Sequence, residues 1–143
     1  MPLTYGMAMR LSPTIRTFFV VASLVIAAPV LAVDIDALKE TTPEERAEAQ
    51  TLMMKENLGL SPEKVEKVRA INLKYAKIMD PTIQGPDGPM KKGMVASNRQ
   101  AQKDGELKAV LSPDEYQKYL ASKLKMKEHI VERIFEERGK RGQ

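Results

Sequence analysis

The chain contains neither cysteine nor tryptophan, and its only histidine is His129. The absence of cysteine excludes disulfides and the usual cysteine-containing zinc sites, and one histidine leaves little material for nucleophilic triads. Carboxylates are plentiful, but the groups at 44–48 and 132–137 have the pattern of solvated helix faces. We therefore expect a protein that is not an enzyme and that has no cofactor.

Aromatic side chains are also scarce, at 5% of the chain. Beyond residue 32 they are Tyr75, Tyr116, Tyr119 and Phe135. Because aromatic residues carry much of the burial in an ordinary core, this shortage favours long amphipathic helices around a thin core. Small domains with thin cores commonly need a partner, so we expect self-association.

The N-terminal segment has the pattern of a secretory signal. Arg10 and Arg16 provide a positively charged region, and an apolar run follows at 18–28. A cleavage site of the usual small-residue type ends at Ala32. We therefore predict a cleaved signal at 1–32 and a periplasmic location for the rest of the chain.

Alternatives to this interpretation concern anchoring and the start residue. A retained membrane anchor is disfavoured because the apolar stretch at 17–33 contains Pro29 and falls short of the roughly 20 residues that a spanning helix needs. The start residue is Met1, Met7 or Met9, and either later start gives a more typical signal. Removing the two signal arginines from the 23 basic residues leaves 21, against 19 acidic ones, which gives no support to nucleic-acid binding.

Three segments have the composition of helix N-termini. Residues 42–45 and 112–115 each combine a hydroxyl residue, a proline and then two acids, while residues 61–64 end in lysine. The hydroxyl accepts a hydrogen bond from a free backbone amide, proline is tolerated in the first turn, and acids favour the positive end of the helix dipole. All three segments therefore mark the starts of helices.

The apolar spacing downstream of these starts predicts an all-α domain at 33–143. We expect four helices, at about 43–57, 62–79, 91–110 and 113–138. Gly59 is placed to end the first helix, and the proline- and glycine-rich segment at 81–89 is predicted to be a loop. No run of alternating apolar and polar residues long enough for a strand is present.

Two of the helix starts share a longer motif, in which a leucine precedes the serine and proline. Its positions are Leu60, Ser61 and Lys64 in the first copy and Leu111, Ser112 and Glu115 in the second. Together with the export signal, this pair resembles the Spy/CpxP-like periplasmic family, which carries a twice-occurring Leu-Thr-x-x-Gln motif. Serine in place of threonine keeps the capping oxygen, whereas lysine and glutamate at the last position depart from the family pattern.

The resemblance implies a fold and a function, both of which are expectations here. It implies a thin, curved, cradle-like protomer of four helices that forms a homodimer. It further implies ATP-independent binding of unfolded or misfolded clients during envelope stress, or alternatively inhibition of a sensor kinase as its adaptor.

The candidate binding residues lie on the second predicted helix. Val65, Val68, Ile71 and Tyr75 form an apolar stripe, and we expect part of it to stay unburied and to bind clients with the help of nearby lysines.

A metal-responsive binding protein is a further alternative, because thioethers suit Cu(I) and Met90 and Met94 lie one turn apart. Packing is the more common use of methionine, so no metal site is predicted and these two residues are weak candidates.

Overall fold

The computed structural model describes residues 35–142, and in this part of the chain every regular element is an α-helix. The helices are α1 (Ile35–Lys39), α2 (Pro43–Leu58), α3 (Pro62–Gln84), α4 (Pro89–Val110), α5 (Pro113–Glu128) and α6 (Ile130–Arg141). The all-α fold class is therefore confirmed, although the described residues form six helices where four were expected. The predicted signal at 1–32 lies outside the described residues.

The predicted helix starts are confirmed at α2, α3 and α5, each of which begins at its proline. At α2 the Thr42 side chain accepts from the Glu45 amide while the Glu45 carboxylate accepts from the Thr42 amide, so both ends of a capping box are present. Gly59 ends the same helix with φ 65°, a left-handed conformation that favours glycine. Local chemistry alone is enough to place these boundaries.

Helix α3 is longer than the sequence predicted. The stop expected at Pro81 does not occur, and the helix continues to Gln84 with Pro81 inside it. An internal proline removes a backbone hydrogen bond, but the turn that follows buries Ile83 and is closed by a bond from the Gly85 amide to the Pro81 carbonyl (2.9 Å). The expected loop at 81–89 is therefore wrong, and the segment between α3 and α4 is only 85–88.

The fourth predicted helix, at 113–138, is interrupted at His129, whose φ of −94° and ψ of 3° depart from helical values. The sequence carries a signal for this break. Lys125 and Lys127 lie in the last turn of α5 and Glu132 lies in the first turn of α6, where each charge complements a helix end. The expectation of one continuous helix was wrong because the apolar spacing continues across the interruption.

Helix α1 is a five-residue element that the sequence did not predict. It is held by Arg46 of α2, whose guanidinium donates to the carbonyl oxygens of Leu38 (3.3 Å) and Thr41 (2.7 Å) and pairs with Asp80 of α3 (2.6 Å). So short a helix does not form in isolation. Its presence depends on these contacts with α2 and α3.

Helix α2 occupies the middle of the described fold, since it contacts α3, α5 and α6, while α4 packs along α3. The buried core consists mainly of aliphatic and methionine side chains. Its members are Ala49, Met53, Met54, Leu58, Leu60, Val65, Val68, Leu107, Leu111, Tyr119, Met126, Ile130 and Ile134. Tyr119 is the one aromatic residue of this cluster, in keeping with the low aromatic content.

None of the helices in the described part of the chain combines the length and the apolar character needed to cross a membrane.

Candidate functional site

The two motif copies meet in space. Lys64 Nζ lies 2.7 Å from Glu115 Oε2, so the last positions of the two copies form an ion pair across 51 residues of sequence. Leu60 and Leu111, the first positions, are both buried in the core. The motifs therefore hold the N-termini of α3 and α5 side by side, which is a structural role.

The two motif serines cap their helices to different extents. Ser112 accepts from the Glu115 amide (3.2 Å), and the Glu115 carboxylate accepts from the Ser112 amide (2.7 Å). Ser61 makes only one such bond, a longer one of 3.4 Å from the Lys64 amide. The bond from Lys64, followed by that from the Ser112 amide, holds the pKa of the Glu115 carboxyl below its ordinary value.

We expect Ser112→Ala to lower the free energy of unfolding by about 1 kcal/mol and Ser61→Ala to lower it by about half as much. The difference arises because the first change removes the 3.2 Å bond of a capping box, whereas the second removes a single bond of 3.4 Å. Urea denaturation of both variants provides the comparison. Equal losses would show that the shorter bond to the Ser112 hydroxyl contributes no more than the longer bond to the Ser61 hydroxyl.

Most of the apolar stripe that was expected to bind clients is buried. Val65 and Val68 belong to the buried core, Tyr75 is buried, and Ile71 is half-buried against the core. The periodicity of a single helix identifies its apolar side but does not reveal which neighbour covers it. Here α2 and α4 pack against α3 and cover most of the stripe. The expectation that part of it stays unburied holds for Ile71 alone, and client binding at these residues is still a prediction.

Three exposed apolar side chains lie instead along α5 and α6. The exposed fraction is 68% for Leu124 and 51% for Phe135, and Leu120 is also exposed. At about 100° per residue, Leu120 and Leu124 lie about 40° apart on α5, and Phe135 follows on α6, beyond the break at His129. We call Leu120, Leu124 and Phe135 the exposed line.

Positive charge accompanies the exposed line. Lys127 follows Leu124 by one helical turn and, like Lys125, has no ion pair among the described residues. At the other end, the Arg138 guanidinium lies 5.3 Å from the centre of the Phe135 ring. Arg138 is paired with Glu45, so Lys125 and Lys127 are the cations that can attract acidic groups, while the exposed line can hold apolar ones.

The apolar pattern of the sequence includes these three residues but does not distinguish them from core residues. Leu120 and Leu124 follow Tyr116 and Tyr119 so closely that the apolar pattern covers more than one side of α5. Apolar residues on more than one side of a helix could have indicated that some of them stay exposed, because one neighbouring helix covers only one side.

Met90 and Met94 are both exposed on α4 and lie one turn apart. Within residues 35–142 there is no cluster of three or more histidine, aspartate or glutamate side chains that could hold a metal ion. The two thioethers therefore lie exposed on α4 without such a cluster.

The fold and this surface define a small all-helical protein with an exposed apolar line. The sequence matches the family described as a domain of unknown function (DUF4890) over residues 35–119, and the chain belongs to this family. No curated protein and no solved structure matches the chain. The matched segment includes both motifs and their Lys64–Glu115 ion pair, whereas the exposed line begins at the next residue.

Proposed function

We propose that this protein is a periplasmic, ATP-independent, chaperone-like binding protein that holds unfolded or misfolded polypeptides. The observation that supports this function is the exposed line, Leu120, Leu124 and Phe135, on α5 and α6. Large apolar side chains that stay in water lose the free energy that burial would provide, so several of them on two successive helices favour a binding surface there. An unfolded chain has apolar side chains to place on such a surface.

The charges beside the exposed line favour weak, unspecific capture. Lys125 and Lys127 are free of ion pairs in the described part of the chain, so they can attract acidic stretches of a client. Binding through apolar contact and charge needs no nucleotide, because neither requires a chemical step.

Two further elements belong to the same proposal. Export through the predicted signal at 1–32 would place the protein where envelope stress produces unfolded clients. A homodimer would enlarge the binding surface, and the thin core of the protomer, with Tyr119 as the one aromatic residue of its central cluster, supports such self-association.

The test is light scattering from a chemically unfolded client protein, with the purified protein added in the absence of nucleotide. We expect suppression of aggregation near stoichiometric ratios. We expect Leu124→Ser with Phe135→Ser to raise the concentration needed for half suppression about tenfold, since two exposed anchors are lost. The thermal midpoint of this variant should change little, because both side chains are largely in water.

The matched control is Met90→Ser with Met94→Ser, which makes the same type of change at two exposed positions of α4. Suppression should stay close to that of the unchanged protein. Loss of suppression in this control alone would contradict the exposed line as the binding surface. No suppression by a protein that circular dichroism shows to be helical would contradict chaperone activity and favour the alternative, an adaptor that inhibits one sensor kinase.

A further inference from the structure

Helix α4 is attached to the rest of the fold by an unusual set of side chains. It is 22 residues long, yet Leu107 is its only buried apolar side chain. The other two buried residues of this helix are Lys92 and Lys103. A helix of this length that buries one leucine and two lysines has far less hydrophobic attachment than α2 or α3.

Several polar contacts hold α4 along α3. Lys92 Nζ donates to the Ile83 carbonyl (2.9 Å) near one end of the pair. Towards the other end, the Glu106 carboxylate accepts from the Tyr75 hydroxyl (2.8 Å) and from Lys74. Polar groups exchange such partners for water at little net cost, so these contacts restrain α4 less firmly than apolar burial would.

Both buried lysines lack a carboxylate partner. No aspartate or glutamate oxygen of the described residues lies within ion-pair distance of either ammonium group, and Lys103 donates instead to the Gln50 side chain. Burial lowers the pKa of Lys103 to about 8, with the charge of Asp104 acting in the opposite direction. A buried and uncompensated ammonium group favours any state in which it reaches water.

Two glycines weaken α4 from within. A methyl group added at Gly93 or at Gly105 would meet no atom within 4 Å, so neither glycine is required by close packing. Glycine inside a helix is nonetheless among the least favourable residues, because the unfolded chain gains backbone freedom. The helix therefore combines low intrinsic stability with an attachment that is largely polar and that includes the bonds from Lys123 (2.8 Å) and Tyr119 (2.6 Å) of α5 to Asp104.

We propose that α4 is a displaceable cover, which opens by local unfolding while α2 and α3 stay folded and thereby uncovers the Tyr75 side of α3 for apolar segments of clients. Tyr75 is buried in the closed protomer, and its hydroxyl is bonded to α4 through Glu106. In the open state, part of the apolar stripe on α3 that was predicted from the sequence as a binding surface becomes accessible to clients.

The opening of α4 is a property of the fold alone, whereas its use by clients rests on the function proposed above. Hydrogen exchange followed by mass spectrometry tests the first part on the unchanged protein. We expect α4 amides to exchange through local opening, well before those of α2 and α3. If the α4 amides exchange only at the rate of those in α2 and α3, through global unfolding, then α4 does not open locally and the proposal is wrong.

The second part is tested with Gly93→Ala and Gly105→Ala combined, since both sites have room for the new methyl groups. We expect exchange of α4 to slow about tenfold and suppression of client aggregation to weaken. The matched control is Gly139→Ala on α6, where an added methyl group also meets no atom within 4 Å. It should leave both the exchange of α4 and the suppression unchanged.

The two measurements separate the possible failures. Slower exchange of α4 with unchanged suppression would overturn the role of α4 as a cover, although α4 would still be shown to open. If the unchanged protein fails to suppress aggregation at all, the proposed function is wrong and the use of the open state by clients falls with it. Slower exchange together with weaker suppression, both absent in the control, is the expected result.

Discussion

Replacement of Leu107 by alanine is expected to lower the free energy of unfolding by about 3 kcal/mol. Leu107 is fully buried, with 0% of its surface exposed, and it packs in the same cluster as Val65 and Val68 of α3. Truncation removes several buried carbon atoms and leaves a cavity between α4 and the core. Because Val110 is the other α4 residue packed against this cluster and is only partly buried, the change also removes much of the hydrophobic attachment of this helix.

Urea denaturation followed by circular dichroism measures the effect, and Leu124→Ala on α5 is the matched control. Leu124 is largely exposed, so its truncation should change the stability by less than about 0.5 kcal/mol. A loss below about 1 kcal/mol for Leu107→Ala would contradict the placement of this residue in the core. Hydrogen exchange of the same variant should show faster exchange in α4 than in α2.

Replacement of Lys103 by methionine is expected to stabilise the protein at pH 7, by about 2 kcal/mol. Only 8% of the Lys103 surface is exposed, and burial lowers its pKa from 10.5 to about 8. A depression of this size corresponds to about 3 kcal/mol against folding while the lysine is charged in both states. The Gln50 oxygen loses its donor in the variant, which takes back about 1 kcal/mol.

The gain should depend on pH in a defined direction. Below about pH 8 the lysine is charged in the folded and the unfolded chain, and the full penalty is present. Between about pH 8 and 10.5 the unfolded chain binds more protons than the folded one, so the stability of the unchanged protein rises with pH. The difference between the two proteins should therefore shrink over this range and be smallest above it.

Urea denaturation at pH 7 and at pH 10 tests this prediction, with Lys108→Met as the control on the exposed side of α4. Taking differences between variants removes the effect of other groups that titrate at high pH. A stability difference for Lys103→Met that stays constant from pH 7 to 10 would show that Lys103 is solvated in the folded protein. The control should stay close to the unchanged protein at both pH values.

The sequence predicted helix starts much better than helix ends. Pro43, Pro62 and Pro113 begin their helices as expected, because each cap is formed by groups within four residues of one another. The end of α3 was missed because Pro81 is a local stop signal that distant contacts override. Burial of Ile83 and the bond from Lys92 to its carbonyl come from tertiary structure, which the local pattern does not contain.

The candidate site was predicted less well, for a related reason. Val65, Val68 and Tyr75 were identified correctly as apolar residues of one helix side, but their burial depends on the positions of α2 and α4. The exposed residues Leu124 and Phe135 have the same spacing as core residues, and only the absence of a neighbour distinguishes them. Periodicity therefore finds apolar sides, whereas tertiary packing decides which of them remain available.

The contacts of Arg138 bring the two ends of the described chain together. Its guanidinium donates to the Glu40 carbonyl (2.7 Å) and to both oxygens of the Glu45 carboxylate (2.7 Å each), across more than 90 residues. The bonds from Arg138 hold the pKa of Glu45 down at about 2, so acid does not readily release this closure.

Topologically the described helices thus form a nearly closed ring, with its seam between α6 and the segment 35–42 that leads into α2. A chain joined across this seam and opened at 85–88 would keep all six helices in the same spatial arrangement with a new sequence order.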